Sequence, residues 1–201
     1  MAGSAGGVLL GPILALKAVN DVVLRLGRAL AVAALAVMVG VILAQVFFRY
    51  VLNNALPWPD EAARFMMLWM TGLIAPMGYR RGGFVAIDMA ERALPVRAAA
   101  ALSLMLLLAS LAVLVVAARI GWTEVTGFGG RFATASLFVP VSLGFDEWMR
   151  VPRAWMMASL LVGLWLMILV NVELVLRQLA TLAGHGARLP ALQVADLPEA
   201  E

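Results

Sequence analysis

Polar side chains that could take part in chemistry form three short clusters, each beside an apolar run of this 201-residue chain. In chain order they are Gln45, Arg49 and Tyr50; Trp58, Asp60, Glu61 and Arg64; and Arg80, Arg81 and Asp88. Carboxylates and guanidinium groups at these spacings could pair with each other, cap a helix or bind a charged partner. Catalysis inside a membrane instead requires facing ionisable groups at mid-depth, and no ionisable residue lies in the middle of an apolar run. We therefore expect that the chain is not an enzyme.

Residue types that common cofactors and nucleophiles require are nearly absent. The chain has no cysteine, which excludes disulfides, thiolate metal sites, iron–sulfur clusters and cysteine nucleophiles. Its one histidine, His185, lies in a polar tail and cannot supply the paired axial ligands of a membrane cytochrome. The sequence contains no HExxH, GxSxG or glycine-rich phosphate loop. We expect no catalytic, cofactor or metal site, and a quinone or haem anchor of a respiratory complex is disfavoured.

The composition is that of a membrane protein. Hydrophobic residues make up 64% and charged residues 13%, against roughly 45–50% and about 25% in soluble domains. A chain of this length cannot hide so many apolar side chains in its interior, so its surface must face lipid. The net charge of +3 comes from arginines scattered between apolar runs rather than from a basic stripe. We interpret these arginines as determinants of topology and expect no nucleic-acid partner.

Four apolar runs are long enough, or nearly long enough, to cross about 30 Å of hydrocarbon as helices. They are residues 29–48, 62–79, 96–118 and 154–175. The sequence therefore predicts an all-α membrane protein, with four transmembrane helices in one membrane domain that covers residues 1–201. Residues 184–201 are polar and predict a flexible tail.

An amphipathic helix is predicted ahead of the first span, over residues 8–28, lying in the membrane interface. Asp21 and Arg25 are four residues apart there, a spacing that supports a helix. A cleaved signal peptide is the alternative for this segment. It is disfavoured because residues 1–16 contain no lysine or arginine for a basic region.

The distribution of basic residues predicts that both termini are cytoplasmic. With four spans the termini share one side, which carries nine lysines and arginines against six on the other. The short connection from Arg80 to Arg97 alone carries four of the nine. Short loops count most in the positive-inside rule, so this connection indicates the cytoplasmic side.

The second span is preceded by the segment richest in polar signals. Pro57 and Pro59 force an extended entry, and Asp60 suits the N-cap of the following helix. Glu61 and Arg64 are three residues apart on its first turn, where they could form an ion pair. Capping explains Asp60 without a functional role, whereas an arginine inside an apolar run suggests a partner. Four tryptophans lie near predicted span ends and are interpreted as interfacial anchors: Trp58, Trp122, Trp148 and Trp155.

Rows of small residues predict close helix packing on two spans. Ala36, Gly40 and Ala44 recur every four residues on the first span, and Ser159 and Gly163 form a shorter row on the fourth. Such rows allow the backbone of another helix to approach closely. Packing within this chain is the favoured interpretation, and contact with a separate membrane subunit is the alternative.

The order of the polar motifs resembles a known family. Gln45-Val46-Phe47-Phe48-Arg49-Tyr50, then Leu56-Pro57-Trp58-Pro59-Asp60-Glu61-Ala62-Ala63-Arg64, then Arg80-Arg81-Gly82-Gly83 running to Ile87-Asp88, are similar to the small membrane subunit of tripartite ATP-independent periplasmic (TRAP) transporters. The resemblance covers roughly residues 15–178 and is sharpest from Gln45 to Asp88. Two features depart from the family pattern. Phe84 stands where a polar residue is common, and the stretch from Gly121 to Val151 is longer than usual.

This resemblance implies a small permease subunit in the bacterial inner membrane. Such a subunit would pair with a large multi-span subunit that carries the substrate and sodium sites, while a periplasmic binding protein delivers an organic acid. The segments 52–61 and 119–153 would then face the periplasm, where the binding protein docks. The outer rim there, or its junction with the large subunit, would be shaped by Trp58, Asp60, Glu61 and Arg64. Charge for docking would come from Arg131, Asp146 and Glu147. The competing hypothesis is a stand-alone tetraspan assembly or regulatory protein that uses the same small-residue faces.

Overall fold

The computed structural model describes residues 3–81, 95–140 and 148–184. The helices are α1 (Gly3–Tyr50), α2 (Pro59–Arg80), α3 (Val96–Thr126) and α4 (Arg153–Leu182), and a short 3-10 turn (Gly129–Arg131) precedes strands β1 (Ala133–Pro140) and β2 (Trp148–Pro152). Asp88, Asp146, Glu147 and the predicted tail beyond residue 184 lie outside the described residues. The expectation of an all-α membrane protein is confirmed, with one small hairpin added.

Within the described residues, three helices are long and apolar enough to cross a membrane: Leu10–Tyr50, Ala98–Thr126 and Arg153–Leu182. Helix α2 has 22 residues and is less apolar, because Asp60, Glu61, Arg64 and Arg80 lie within it. It covers the predicted second span, and its crossing of the membrane stays a prediction. At 1.5 Å per residue, α2 measures about 33 Å, close to the thickness of the hydrocarbon core.

Helix α1 joins two predicted elements into one. It runs for 48 residues, about 72 Å, without the turn expected between residues 28 and 29. No proline follows Pro12 within the helix, so nothing in this stretch breaks the backbone hydrogen bonding. Asp21, whose spacing from Arg25 supports a helix, forms an ion pair with Arg80 of α2.

The helices pack side by side in the order α1, α2, α4, α3, and α1 also reaches α4. Helix α1 turns a narrow stripe of residues inward that advances by alternating steps of four and three. The stripe consists of Ile13, Lys17, Asn20, Leu24, Gly27, Ala31, Ala34, Met38, Val41, Gln45 and Phe48. This 3.5-residue spacing is typical of a helix packed along one seam. Beyond Gly27, every residue of α1 outside the stripe is exposed.

Small residues bring α2 and α4 into close contact at their crossing. A Cβ atom added to Gly72 would lie 2.3 Å from the carbonyl oxygen of Ser159, and one added to Gly163 would lie 2.7 Å from the carbonyl oxygen of Gly72. Both distances are too short for real contacts, so glycine is required at each position. The Ser159 hydroxyl donates to the carbonyl of Met156 within α4, so its own polar group is satisfied at the crossing.

The row of small residues on α1 has a different environment. Ala36, Gly40 and Ala44 are all exposed, and a Cβ atom on Gly40 would meet nothing within 4 Å. Among the described residues no helix of this chain covers the row. The favoured interpretation, packing within the chain, is therefore wrong for these three residues, because the inward stripe of α1 lies on the opposite side of the helix.

The hairpin of β1 and β2 was not expected from the sequence. The strands are antiparallel, with Phe138 opposite Arg150 and Val139 opposite Met149. An isolated two-stranded hairpin is marginally stable at best, so it depends on the helices that it touches. It contacts α2 and the start of α4, at the end of the molecule where α1 and α3 finish. We call this end the hairpin end and the opposite one the terminal end.

Candidate functional site

At the hairpin end, the carboxylate of Glu61 holds strand β1. Its oxygens accept hydrogen bonds from the Ala135 amide at 3.0 Å, the Ser136 amide at 2.6 Å and the Ser136 hydroxyl at 2.7 Å. The strand pairing is irregular between Ala133 and Phe138, so these amides leave the β ladder and turn toward α2. The first turn of α2 thus fixes the position of the hairpin through one side chain.

These hydrogen bonds also set the protonation state of Glu61. Partial burial raises the pKa of this carboxyl, but the hydrogen bonds from the Ser136 hydroxyl and from the β1 backbone outweigh it and lower the pKa below the ordinary value of 4.5. Glu61 is therefore ionised at neutral pH and acts only as an acceptor. Its carboxylate is directed to the strand, so the predicted ion pair with Arg64 does not form and Arg64 is exposed.

A groove of about 590 Å³ lies between the hairpin and the entry to α2. It is lined by Trp58, Ser136, Leu137, Phe138 and Trp148. The guanidinium carbon of Arg150 lies 5.3 Å from the centre of the Phe138 ring, which places a cation beside the aromatic wall. Large exposed aromatic residues flanked by arginine are common in protein interfaces.

The other residues predicted near this end are more dispersed. Helix α2 begins at Pro59 with Trp58 at the N-cap, so the assignment of Asp60 as N-cap is wrong by two residues. Proline favours the first helical position, and Asp60 follows it, exposed, in the first turn. Arg49 is exposed and lies 5.9 Å from the ring centre of Tyr50, also exposed. Gln45 is half-buried on the inward stripe of α1.

Four charged side chains meet at the terminal end. Glu173 of α4 is fully buried, and its carboxylate binds Arg80 of α2 at 2.9 Å and Arg177 of α4 at 3.0 Å. Arg80 also binds Asp21 of α1. Asn20 of α1 donates to the Glu173 carboxylate at 2.7 Å. We call these five residues the ion cluster.

The ion cluster is electrically neutral, with two carboxylates and two guanidinium groups. Each charge has an opposite partner within 3.0 Å, which is the condition under which buried charges are tolerated. Its members come from α1, α2 and α4, so it links three helices at one level. Nearby, Asn171 donates to the Tyr79 hydroxyl and to the carbonyl of Leu107, which extends the polar contacts to α3.

The two sites lie about one membrane thickness apart. Glu61 and Arg80 are separated by 19 residues of α2, about 28 Å, and Arg153 and Glu173 by 20 residues of α4, about 30 Å. The hydrocarbon core is also about 30 Å thick. Arg81, which follows Arg80 at the helix end, is exposed.

Sequence reasoning identified Arg80 but missed its partners. Glu173 is the single acidic residue of α4, and it lies inside the predicted fourth span. An ionisable residue within a span indicates a buried partner, so Glu173 carried a usable signal. The sequence signal for Ser136 and the hairpin was weaker, because β1 is short and its sequence, ATASLFVP, resembles an apolar loop.

Comparison with known proteins identifies a family that covers most of both sites. The family model described as "Tripartite ATP-independent periplasmic transporters, DctQ component" matches residues 38–181, which is more than two thirds of the chain and includes both sites except Asn20 and Asp21. No curated protein matches the sequence. The family match confirms the resemblance expected from the polar motifs between residues 45 and 88.

Proposed function

Because the chain belongs to the DctQ component family of TRAP transporters, we propose that it is the non-catalytic small permease subunit of such a transporter. In this role it scaffolds the large transport subunit and helps to dock the periplasmic substrate-binding protein. The transporter would carry out secondary active, sodium-coupled uptake of an organic acid. The large subunit would hold the substrate and sodium sites, since the described part of this chain offers no polar site at mid-depth between its two ends.

The exposed face of α1 is the observation that carries the scaffold role. From Ala29 to Phe48 only the inward stripe is covered, and the remaining surface is apolar and includes Ala36, Gly40 and Ala44. Small residues at this spacing let a second helix approach to backbone contact. The corresponding small residues of α2 and α4 are already in contact with each other. The α1 row is therefore available to a helix of the large subunit.

Rigidity of the remaining helices supports the same role. The Gly72–Gly163 crossing holds α2 against α4 at one level, and the ion cluster holds α1, α2 and α4 together at another. A scaffold must keep one part of the large subunit still while another part moves, and two fixed levels resist both rotation and sliding of the helices. The chain would thus act as an extension of the stationary part of the transporter.

Docking of the binding protein is assigned to the hairpin end. We place both termini in the cytoplasm, because the short connection after Arg80 is rich in arginine. The hairpin, the Trp58 groove and the exposed Asp60 then face the periplasm. Charged rims chiefly adjust association rates and their salt dependence, while aromatic anchors contribute more to affinity.

Co-purification tests the scaffold role. The chain would be tagged at its C-terminus, extracted from native membranes in a mild detergent, and its partners identified by mass spectrometry. We expect a large multi-span subunit at about one-to-one stoichiometry, lost in Gly40→Trp and retained in Val113→Trp, which changes an exposed residue of α3. Recovery of the chain alone, also in lipid nanodiscs, would favour the stand-alone tetraspan protein instead.

Charge reversal tests the docking role. We expect reversal at Asp60, Asp146 and Glu147 to change the uptake rate and its salt dependence without changing the amount of assembled permease. Glu61 is better examined separately, because it also holds the hairpin. If uptake and its salt dependence are unchanged by the three reversals, docking does not use this charged rim.

A further inference from the structure

A second groove, far from the α1 face, lies between α3 and α4. It has a volume of about 570 Å³ and is lined by Val115, Ala118, Arg119, Trp122, Thr123, Trp165 and Ile168. Its walls are apolar except for one guanidinium group and one hydroxyl. Trp122 and Trp165 are 58% and 54% exposed, so the groove opens to the surroundings of the helices rather than to the interior.

The charge of Arg119 is uncompensated within the described part of the chain. Arg119 is exposed and forms no ion pair or hydrogen bond with any described residue, in contrast to Arg80 and Arg177 of the ion cluster. The Thr123 hydroxyl, one turn away, donates its hydrogen bond to the Ile120 carbonyl. A single cation in an apolar groove favours an anionic partner, and the described residues supply none.

The level of Arg119 along the helices restricts what that partner can be. Gly121 packs against Leu161 and Leu164, which sets the register of α3 on α4 and places Arg119 in the hairpin-end half of both helices. Arg119 is seven residues, about 10 Å, inside the end of α3 at Thr126. A cation at this depth is costly unless it reaches the interface or draws an anion toward itself.

We propose that this groove is a binding site for one phospholipid, with its phosphate on the Arg119 guanidinium and an acyl chain along Val115, Trp165 and Ile168. Charge complementarity carries the assignment, because a phospholipid joins one phosphate to long apolar chains, as the groove joins one guanidinium to apolar walls. Arginine binds phosphate through paired N–H donors, and the exposed indole rings suit the boundary between headgroup and chain. The site lies in the leaflet at the hairpin end. This inference does not depend on the proposed transport role.

Native mass spectrometry of the full-length protein in detergent tests the proposal by counting retained phospholipids. We expect one phospholipid on the wild type that survives washing and is lost in Arg119→Gln. Arg49→Gln is the matched control, since Arg49 is also an exposed cation near the hairpin end but lies outside the groove. Val115→Trp fills the groove while it keeps the charge, and we expect it to lose the lipid as well.

Vesicles of phosphatidylglycerol and phosphatidylethanolamine, mixed one to three, would then be added to the delipidated proteins. We expect the wild type to regain its bound lipid at a lipid concentration about tenfold lower than Arg119→Gln needs. Equal retention by wild type and Arg119→Gln, or equal losses in Arg119→Gln and Arg49→Gln, would overturn the proposal. So would a cysteine at position 165 that cross-links to another protein in native membranes, because a protein helix would then occupy the groove.

Discussion

The two ends of this protein are held together by different chemistry. At the terminal end, α1, α2 and α4 meet around the buried carboxylate of Glu173, which is bound by Arg80, Arg177 and Asn20. At the hairpin end, the half-buried carboxylate of Glu61 binds backbone amides of a short strand, and the surrounding aromatic residues are exposed. One end joins helices to each other, and the other attaches a small surface element to a helix.

This difference suits the terminal end to stabilise the fold and the hairpin end to bind a partner. The fully buried carboxylate of Glu173 cannot be removed without breaking its ion pairs with two guanidinium groups, so that end resists change. We expect the hairpin to detach while the helices stay packed, because one carboxylate supplies the side-chain hydrogen bonds described between β1 and α2. An end that tolerates local change is suited to bind a partner, and an end that does not is suited to fix the angle between helices.

Loss of the central carboxylate should have the largest effect. We expect Glu173→Ala to lower the free energy of unfolding by about 3–5 kcal/mol, because Arg80 and Arg177 would each lose an ion pair in a buried site, leaving Asp21 as the described counter-charge of Arg80. Thermal unfolding of the purified protein in detergent measures this. Glu124→Ala, at an exposed acidic residue of α3, is the control and should change stability by less than about 0.5 kcal/mol. Equal unfolding temperatures for the two variants would show that the ion cluster does not hold the terminal end.

The crossing between the two ends should be the next most sensitive position. A methyl group at Gly163 would collide with the backbone of Gly72, so we expect Gly163→Ala to destabilise the protein by about 1–3 kcal/mol. Gly40→Ala provides the matched control on the exposed face of α1, where a Cβ meets nothing. The same unfolding assay compares them. A destabilisation of Gly40→Ala equal to that of Gly163→Ala would contradict the packing described for α1.

Release of the hairpin should be a local event. We expect Glu61→Gln to speed hydrogen exchange of the Ala135 and Ser136 amides about tenfold, since a charged acceptor becomes neutral, while amides in the middle of α4 keep their protection. Hydrogen exchange followed by mass spectrometry on peptides that cover β1 measures this. Faster exchange in α4 as well would mean that the hairpin and the helices unfold together.

Acid should reproduce this release in the wild type. The pKa of Glu61 is lowered in the folded state, so its contribution is fully present above the ordinary value of 4.5 and is lost as the pH falls through the lower folded-state pKa. We expect β1 to lose protection below about pH 4 in the wild type and to show no such transition in Glu61→Gln. A transition above pH 5 would indicate that another group controls the hairpin.

The smallest effect is expected at the edge of the ion cluster. Asp21 is partly exposed, and its removal leaves Arg80 paired with Glu173. Asp21→Asn should therefore cost no more than about 1 kcal/mol in the unfolding assay, well below Glu173→Ala. A loss as large as that of Glu173→Ala would make Asp21 as central to the cluster as Glu173.

Much of this fold was predictable from local sequence, and the tertiary contacts were not. Apolar runs of about 20 residues predict helices in a membrane, and each of the four predicted spans lies within a helix. The continuous α1 was missed because residues 8–28 were assigned a separate role from their charges. The hairpin was missed because its stability comes from Glu61, 74 residues earlier in the chain.

Some site residues were likewise recognisable from the sequence, whereas their partners were not. Arg80 and Glu61 stand out by residue type beside apolar runs, but their partners are determined by which helices are neighbours. The pairing of Arg80 with Glu173 spans 93 residues, and no local spacing indicates it. The small-residue row on α1 had two interpretations that the sequence could not separate, since lipid-facing, partner-facing and buried positions of a membrane helix are all apolar.

Photo-cross-linking from α1 tests the central claim most directly. A benzoyl-phenylalanine would be placed at position 40, on the exposed small-residue row, and in a second protein at position 113, an equally exposed site on α3. In native membranes we predict that irradiation joins position 40 to a large multi-span protein and that position 113 gives no protein adduct. Equal adducts from both positions, or none from position 40, would contradict a scaffold role for the α1 face.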